Sequence, residues 1–383
     1  MENQHILLHV AVILIFCKLI ASLSLRAKLP SVIGYILFGI VVGPMGFRLL
    51  EAGGVITWLS RVGAIMLLLE AGLETDVPQM KRQGLVAFAA AGGGVLLPLG
   101  LGFGFCLMSG ESLVASSVMG NVLTATSVGV TTMTLVDMGK LRTLEGTTIL
   151  SAAIIDDVLG IIFLTVTIGL VVSSGSLFLG LLGIAAYVVV AFLVGQLLFP
   201  SLVKLTGKLN VEHAMVSIGL ASAFVFAWAA ELVGVAEITG AYLAGLFFGR
   251  TAAKREVMEG IWSMGQAVFV SIFFVEIGLR TSLRVSEIHW GFLGGILLVA
   301  VVGKVIGCGL AARIGGMSNR AALRVGIGMV PRGEVGLIIA SIGLTRGLIG
   351  QLEFSTAVIM VIVTATLAPI GLKWAFASPE SPE

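Results

Sequence analysis

The chain has 383 residues, of which 57% are hydrophobic and only 11% are charged, and its formal net charge is +2. A soluble domain carries about 25% charged residues, so this composition excludes an ordinary soluble protein and predicts a polytopic membrane protein. The net charge by itself says nothing about nucleic acid, but the sequence has no basic patch with interleaved aromatic residues, so no nucleic-acid partner is predicted. The three cysteines lie far apart in apolar segments, so neither a disulfide framework nor a metal-binding cysteine cluster is predicted.

Long apolar runs indicate helices that cross a membrane. A spanning helix needs about 20 mostly apolar residues, and these runs are too long and too continuous for the strands of a barrel. Charges, prolines and polar clusters divide the chain into thirteen predicted spans: 6–24, 31–48, 55–73, 85–108, 112–138, 146–172, 177–203, 213–231, 235–250, 260–279, 287–312, 320–345 and 353–374. The predicted fold class is therefore an all-α polytopic membrane protein.

The distribution of lysine and arginine predicts how the chain is oriented. Loops after odd-numbered spans, together with the C-terminal flank, carry fourteen of these residues, and loops after even-numbered spans carry four. Because positive charge collects on cytoplasmic loops, we expect the N-terminus outside and the C-terminus in the cytoplasm. The flank after the last span is short, so we expect no soluble regulatory domain.

An internal repeat is visible at an offset of 206 residues. Gly34–Gly43 aligns with Gly240–Gly249, where three glycines and one leucine coincide, and the same offset places Glu70 on Glu276. The offset pairs spans two to six with spans nine to thirteen, and partners seven spans apart run in opposite directions. We therefore predict two inverted six-helix repeats joined by the seventh span, with a substrate site near the midplane.

Two spans carry sequences that disfavour a continuous helix. The fifth contains the hydroxyl-rich and β-branched run Thr124–Thr132, and the twelfth contains Pro331-Arg332-Gly333-Glu334. The offset of 206 superimposes the two interruptions. Because unwound backbone at membrane depth must be buried in protein or face water, we predict two broken helices that cross in the core.

The sixth span contains two adjacent aspartates, Asp156 and Asp157, which are half of the four in the chain. An intramembrane acid is costly and indicates a functional site; here it indicates a site that binds and releases cations. Lys304 in the eleventh span lies at a similar predicted depth, as do Arg332 and Glu334. The alternatives are a structural acid pair, a lysine whose ammonium reaches the interface, and an Arg332–Glu334 pair that only compensates helix dipoles.

Several functions fit an intramembrane acid pair. A carboxylate removed from water has a raised proton affinity, so a cation and protons would compete for Asp157, which predicts cation/proton exchange. A sodium-coupled organic-anion symporter is a second possibility, although few polar or aromatic substrate contacts lie near the midplane. An intramembrane aspartyl protease needs opposed carboxyls on separate helices, which adjacent residues cannot supply. A channel is the fourth possibility, but no pore-like symmetry is visible.

The combined motifs resemble one known family. Thr126-Ser127-Val-Gly-Val-Thr131, Ile155-Asp-Asp-Val-Leu-Gly160 and Pro331–Gly336, with Lys304 upstream, are similar to the bacterial NapA-type sodium/proton antiporters of the second cation:proton antiporter family. This resemblance implies thirteen helices, arranged as a dimerising scaffold and a six-helix core. It also implies no enzymatic activity, no cofactor, and Na⁺ and H⁺ as the transported ions, with Li⁺ or K⁺ as alternatives to Na⁺.

The resemblance also implies roles for individual residues. Asp157 matches the main ion-binding carboxylate, Asp156 matches its neighbour that pairs with Lys304, and Thr126 and Ser127 match the broken-helix crossing. Arg332 and Glu334 match the core charges that compensate dipoles. Electroneutral relatives usually have asparagine at the position of Asp156, so the aspartate here implies electrogenic exchange.

The implied domain organisation follows the spans. Residues 1–80 form scaffold helices one to three, 81–172 core helices four to six, 173–212 the connector, 213–284 scaffold helices eight to ten, and 285–383 core helices eleven to thirteen. The implied partners are membrane lipid and a second copy bound through the scaffold. The implied location is the bacterial inner membrane.

Overall fold

The structure is a computed structural model that describes residues 6–27, 30–75, 84–172, 177–209, 211–233, 235–281 and 289–377. The regular structure in these ranges is helical. The α-helices are α1 Ile6–Arg26, α2 Ser31–Val42, α3 Gly54–Glu74, α4 Gly84–Met108, α5 Leu113–Val122, α6 Val128–Asp137, α7 Leu144–Val172, α8 Leu177–Thr206, α9 Ala214–Leu232, α10 Glu237–Phe248, α11 Lys254–Met264, α12 Val270–Arg280, α13 Trp290–Ile314, α14 Asn319–Gly328, α15 Glu334–Thr345 and α16 Gln351–Ala377. A π-helical turn, Gly265–Phe269, joins α11 to α12.

The helices have the length and composition of a multi-pass membrane protein. Nine helical segments in the described part of the chain are long and apolar enough to cross a bilayer, counting Lys254–Arg280 as one segment. Four shorter apolar helices, α2, α5, α10 and α15, accompany them. Much of the apolar surface of the long helices remains exposed, and only 17% of α1 is buried. Exposed apolar surface of this extent is expected to face lipid.

Both predicted interruptions separate two shorter helices. The first is at residues 123–127, between α5 and α6, and the second is at residues 329–333, between α14 and α15. The prediction for the first was too long, because residues 128–132 are helical. Each interrupted pair begins at a serine N-cap: Ser112 accepts from the Ala115 amide, and Ser318 accepts from the Ala321 amide.

The chain divides into two compact units. The first comprises Met1–Ser22, Gly34–Asp76 and Leu164–Arg280. In it, α2 meets α12 at Gly39 and Gly278, and α3 meets α10 at Gly72 and Gly245; a Cβ atom at any of these glycines would lie 2.2 Å from a backbone oxygen of the facing helix. Small residues of this kind allow helix backbones to approach closely in a membrane.

Charged groups of the first unit are paired between helices. Arg61 of α3 bonds to Glu237, and its Nη2 lies 2.7 Å from Glu231. Glu276 of α12 is 2% exposed and accepts hydrogen bonds from Thr57, Ser60 and Arg280. Glu276 is therefore satisfied within the protein, as a buried charge must be, whereas the Arg61–Glu231 pair is partly exposed.

The second unit comprises Leu23–Ile33, Val77–Phe163 and Thr281–Glu383. It contains α4, α5, α6, α13, α14, α15, α16 and most of α7. Helices α4 and α13 pack closely, and a Cβ atom at Gly93 or at Gly307 would lie 2.3 Å from the carbonyl oxygen of the other glycine. Both helix interruptions and the buried charges Asp156, Lys304 and Arg332 lie in this unit.

Candidate functional site

A buried ion pair lies in the middle of the second unit. The Asp156 carboxylate on α7 and the Lys304 ammonium on α13 are 2.6 Å apart, and both side chains are 0% exposed. Removal of these two charges from water is costly, and their attraction repays that cost only with good geometry and further hydrogen bonds. The site therefore needs support from its neighbours.

That support reaches only one oxygen of the carboxylate. Thr126 Oγ1 donates to Asp156 Oδ2 at 2.6 Å, and Lys304 Nζ donates to the same atom at 2.6 Å. Asp156 Oδ1 is buried and has no hydrogen-bond partner within the described part of the chain. A carboxylate oxygen with free lone pairs is a strong ligand for a hard cation. The geometry therefore leaves one coordination position open on a carboxylate that is already held in place.

The two helix interruptions pack directly against each other beside this carboxylate. The Ser127 amide donates to the Pro331 carbonyl at 2.8 Å, and a Cβ atom added to Gly333 would lie 2.6 Å from the Ser127 Cβ. Thr126 Oγ1 is also 3.3 Å from the Met329 carbonyl. One hydroxyl carries one proton, and the shorter distance assigns that proton to Asp156.

Side-chain donors occupy the carbonyl groups at the C-terminal end of α14. Arg332 is 0% exposed, and its Nη1 donates to the carbonyls of Met329 at 3.2 Å and Val330 at 3.0 Å. Thr131 Oγ1 donates to the Gly328 carbonyl at 2.7 Å. The positive charge of Arg332 is also favourable at this position, because the C-terminal end of a helix is the negative end of its dipole. These three carbonyl oxygens are thus less available to a cation than Asp156 Oδ1.

Arg332 also connects the crossing to the helix that carries Lys304. Its Nη2 donates to the Ala300 carbonyl at 2.7 Å, one turn before Lys304 on α13, and its backbone amide donates to Thr364 Oγ1 of α16 at 3.2 Å. Arg332 therefore holds α13, α14 and α16 at one point. Its Nε has no hydrogen-bond partner among the residues described.

The two other charged residues that were predicted for the site, Glu334 and Asp157, lie on α15 and α7. Glu334 is partly buried in the first turn of α15, where a carboxylate is favoured by the positive end of the helix dipole. Asp157 follows Asp156 on α7, and its side chain lies outside the described part of the structure. Its predicted role as the main ion-binding carboxylate remains a prediction.

Three contacts of the site were not predicted. Thr131 lies within the hydroxyl-rich run that identified the first interruption. The sequence therefore pointed to this region of the chain, but it did not indicate that Thr131 bonds to the Gly328 carbonyl. No feature of the sequence pointed to the Thr364 hydroxyl or the Ala300 carbonyl. Each lies 32 positions from Arg332 in the chain, and neither is a charged or rare residue type within its helix.

Comparisons with known proteins give one family. A sequence profile described as "Sodium/hydrogen exchanger, transmembrane" matches residues 11–378. The Na(+)/H(+)-K(+) antiporter GerN of Bacillus cereus is 36% identical over 372 residues, which cover 97% of this chain and 96% of GerN. The High-affinity Na(+)/H(+) antiporter NhaS3 of Synechocystis sp. is 31% identical over 428 residues, which cover 99% of this chain and 91% of NhaS3.

A solved structure has a similar fold. The sodium proton antiporter MjNhaP1 from Methanocaldococcus jannaschii at pH 8 superimposes with a TM-score of 0.74 at 18% identity, covering 98% of each chain. Similarity at this level of identity establishes the fold alone.

Proposed function

The chain belongs to the sodium/hydrogen exchanger family, whose members are transporters and not enzymes, and we propose that it exchanges Na⁺ for H⁺ by alternating access at Asp156 and Asp157. The observation that carries this proposal is the uneven bonding of Asp156. One of its oxygens holds Lys304 and Thr126, and the other has no partner in the described residues. Such a carboxylate can accept either a dehydrated cation or a proton.

Lys304 supplies the coupling in this proposal. A cation that binds Asp156 Oδ1 weakens the attraction between the carboxylate and the ammonium 2.6 Å away. The lysine then releases its proton, because a buried ammonium without its counter-ion is unstable. With a second proton displaced from Asp157, two protons move for each Na⁺, and transport is electrogenic.

Na⁺ is the proposed cation, with K⁺ as the alternative. GerN is named for Na⁺, H⁺ and K⁺, and NhaS3 for Na⁺ and H⁺. The K(+)/H(+) antiporter subunit KhtU of Bacillus subtilis is 28% identical over 386 residues. The greater similarity to the relatives named for Na⁺ favours Na⁺. The family favours exchange over the symporter, protease and channel alternatives.

The proposed architecture has thirteen spans in two inverted six-helix repeats. Adding 206 to both ends of α2, α4 and α5 gives the ends of α10, α13 and α14. The same offset converts the Gly39–Gly278 contact into the Gly245–Gly72 contact, with the partners exchanged. A contact that maps onto another in this way is expected for two repeats related by a two-fold axis.

The proposed domains agree with the two units in most of their residues, and they differ mainly at residues 23–33 and 164–172. We assign 81–172 and 285–383 to the core, 1–80 and 213–284 to the scaffold, and 173–212 to the connector; the grouping of α4, α5, α13 and α14 in one unit supports this assignment. The bias of lysine and arginine supports an external N-terminus and a cytoplasmic C-terminus. The bacterial relatives support the inner membrane, and the family resemblance supports a homodimer through the scaffold helices.

Exchange in proteoliposomes tests the proposed function. With an acid interior and a pH-sensitive dye, we expect added Na⁺ to dissipate the gradient, and parallel additions of Li⁺ and K⁺ give the preference. Asp157→Asn should abolish the response, whereas Glu51→Gln, which removes an exposed carboxylate, should leave it unchanged. Full activity of Asp157→Asn would refute the role of this aspartate, and no response to any cation would refute exchange.

A further inference from the structure

A second group of buried polar side chains lies at the C-terminal end of α5. Asn121 of α5 and Thr124 of the first interruption are both 0% exposed. The Asn121 side-chain amide nitrogen has no hydrogen-bond partner within the described ranges. Buried polar atoms are nearly always satisfied, and one without a protein partner calls for an explanation such as a bound water or ion. None of the roles assigned above uses this side chain.

The hydrogen bonds of Thr124 leave two oxygens available. Its hydroxyl lies 2.8 Å from the Asn121 backbone carbonyl and 3.3 Å from Asn121 Oδ1. The single hydroxyl proton goes to the nearer oxygen. Thr124 Oγ1 and Asn121 Oδ1 therefore both keep free lone pairs at a separation of 3.3 Å. Cations of the size of Ca²⁺, which is also about the size of Na⁺, bind oxygens at about 2.3–2.6 Å, and two ligands at right angles are then about 3.4 Å apart.

Gly160 provides room beside these oxygens. It is buried on α7, four residues after Asp156 and therefore on the same face of the helix. A Cβ atom added there would lie 3.4 Å from Thr124 Oγ1 and would meet no other atom of the described neighbours within 4 Å. By contrast, a Cβ atom at Gly94 or Gly102 in the same unit would lie 2.3 Å or less from a side chain. A side chain at Gly160 would thus meet only Thr124 among the described neighbours, on the same face of α7 as Asp156.

We propose that Asn121, Thr124 and the bare face of α7 at Gly160 form a second cation subsite, which holds a partly hydrated monovalent cation one helical turn from Asp156. Asn121 Oδ1 and Thr124 Oγ1 bind the ion, and the Asn121 amide N–H group donates to a water of its remaining hydration shell. The inference rests on the proposed exchange and concerns how the cation is held before it reaches the aspartates.

Transport kinetics of three variants test the subsite. Gly160→Ala fills the space without a clash, Asn121→Leu removes a ligand, and Asn121→Asp keeps the shape and adds a charge. We expect the first two to raise the apparent KM for Na⁺ about three- to tenfold, which corresponds to about 0.7–1.4 kcal/mol, with a nearly unchanged maximal rate. Asn121→Asp should lower KM. Gly104→Ala, at a helix position with nothing within 4 Å, is the matched control and should leave KM unchanged.

A structural measurement separates an ion from a water. In crystals soaked in Na⁺ or in choline at equal ionic strength, we expect an Na⁺-dependent difference peak beside Gly160 in the wild type and no such peak beside Gly160 in Asn121→Leu. An unchanged KM in Gly160→Ala and Asn121→Leu, or a peak at Asp156 alone, would overturn the subsite while leaving the proposed exchange intact. Absence of any exchange by the wild type would instead contradict the proposed function.

Discussion

Asp156 has both of its hydrogen bonds on a single oxygen, and this asymmetry defines the chemistry of the site. Lys304 and Thr126 neutralise and orient Oδ2, whereas Oδ1 has no partner among the described groups. A buried ion pair is weak evidence for stability, because apolar replacements of similar volume are often equally stable or more stable. The proposed role of the pair in transport would explain why it is present at some cost to the stability of the fold.

A pair of substitutions at Asp156 and Lys304 tests this explanation. Lys304→Met leaves a buried carboxylate without its counter-ion, and we expect a loss of about 3–5 kcal/mol. The double variant Asp156→Asn with Lys304→Met removes both charges and should regain most of that loss while remaining inactive. Thermal unfolding in detergent measures both effects.

The control for this experiment is Lys373→Met, which removes an exposed lysine from α16 and should unfold as the wild type does. If the double variant were as unstable as Lys304→Met alone, the ion pair would be a structural requirement of the core.

The charged residues of the site could be identified from sequence because charge is rare in this chain. Asp156, Lys304 and Arg332 each stand in an apolar span, where a charge has few explanations. The pairing of Asp156 with Lys304 followed only from the family resemblance. The sequence could not predict which oxygen of Asp156 remains unbonded. It also could not predict that Arg332 bonds to the Ala300 carbonyl and the Thr364 hydroxyl. These contacts depend on how helices distant in sequence are rotated against each other.

At the level of helices, hydropathy predicts where a span lies but not which helix it contacts. Lipid is as apolar as the faces of the helices, so association depends on close packing. The helix bounds differ from the predicted spans by a few residues in most cases, whereas α2 ends at Val42, well before the end of its predicted span at residue 48. The close contact between α4 and α13 depends on glycines whose importance is visible only in three dimensions.

Substitution of Gly94 on α4 tests the close packing of α4 against α13. A Cβ atom there would lie 2.2 Å from Cys308 Sγ and 3.4 Å from Lys304 Nζ. We expect Gly94→Ala to cost about 1–3 kcal/mol through overpacking and to impair exchange by displacing Lys304. Adding Cys308→Ala removes the clashing sulfur and should restore thermal stability.

Two further variants serve as controls for Gly94→Ala. Gly92→Ala has nothing within 4 Å and should be neutral or slightly stabilising, since alanine is the better helix former. Gly93→Ala clashes with the backbone carbonyl of Gly307, so Cys308→Ala should not rescue it. Rescue of Gly93→Ala, or failure to rescue Gly94→Ala, would contradict this packing.

At the scale of the whole molecule, the proposed cation site is part of the folded state and is lost on unfolding. Asp156 is on α7, Thr126 is between α5 and α6, and Lys304 is on α13, so the groups of the site come together only when the second unit is folded. A ligand that binds only the folded protein stabilises it by mass action. Stability should therefore report cation binding without any transport assay.

We expect Na⁺ to raise the melting temperature of the purified protein relative to choline at equal ionic strength. At one hundred times the dissociation constant, the stabilisation is about 2.7 kcal/mol. If protons compete for the same carboxylates, as proposed, the difference between Na⁺ and choline is larger at pH 8 than at pH 5. Asp157→Asn should show little difference at either pH. An equal effect of Na⁺ at both pH values would indicate that protons and cations do not compete.

The glycine contacts have a consequence for the way this protein tolerates substitution. Exchange of glycine for alanine adds one methyl group and hardly alters hydropathy, so a scale of membrane insertion would rate nearly all such changes as harmless. At Gly39, Gly72, Gly93, Gly245, Gly278 and Gly307, however, the methyl group would occupy the position of a facing main chain. Substitutions that disrupt the packing of this transporter therefore include many that leave the hydrophobicity of every span and the position of every charge unchanged. A screen based on polarity would overlook them.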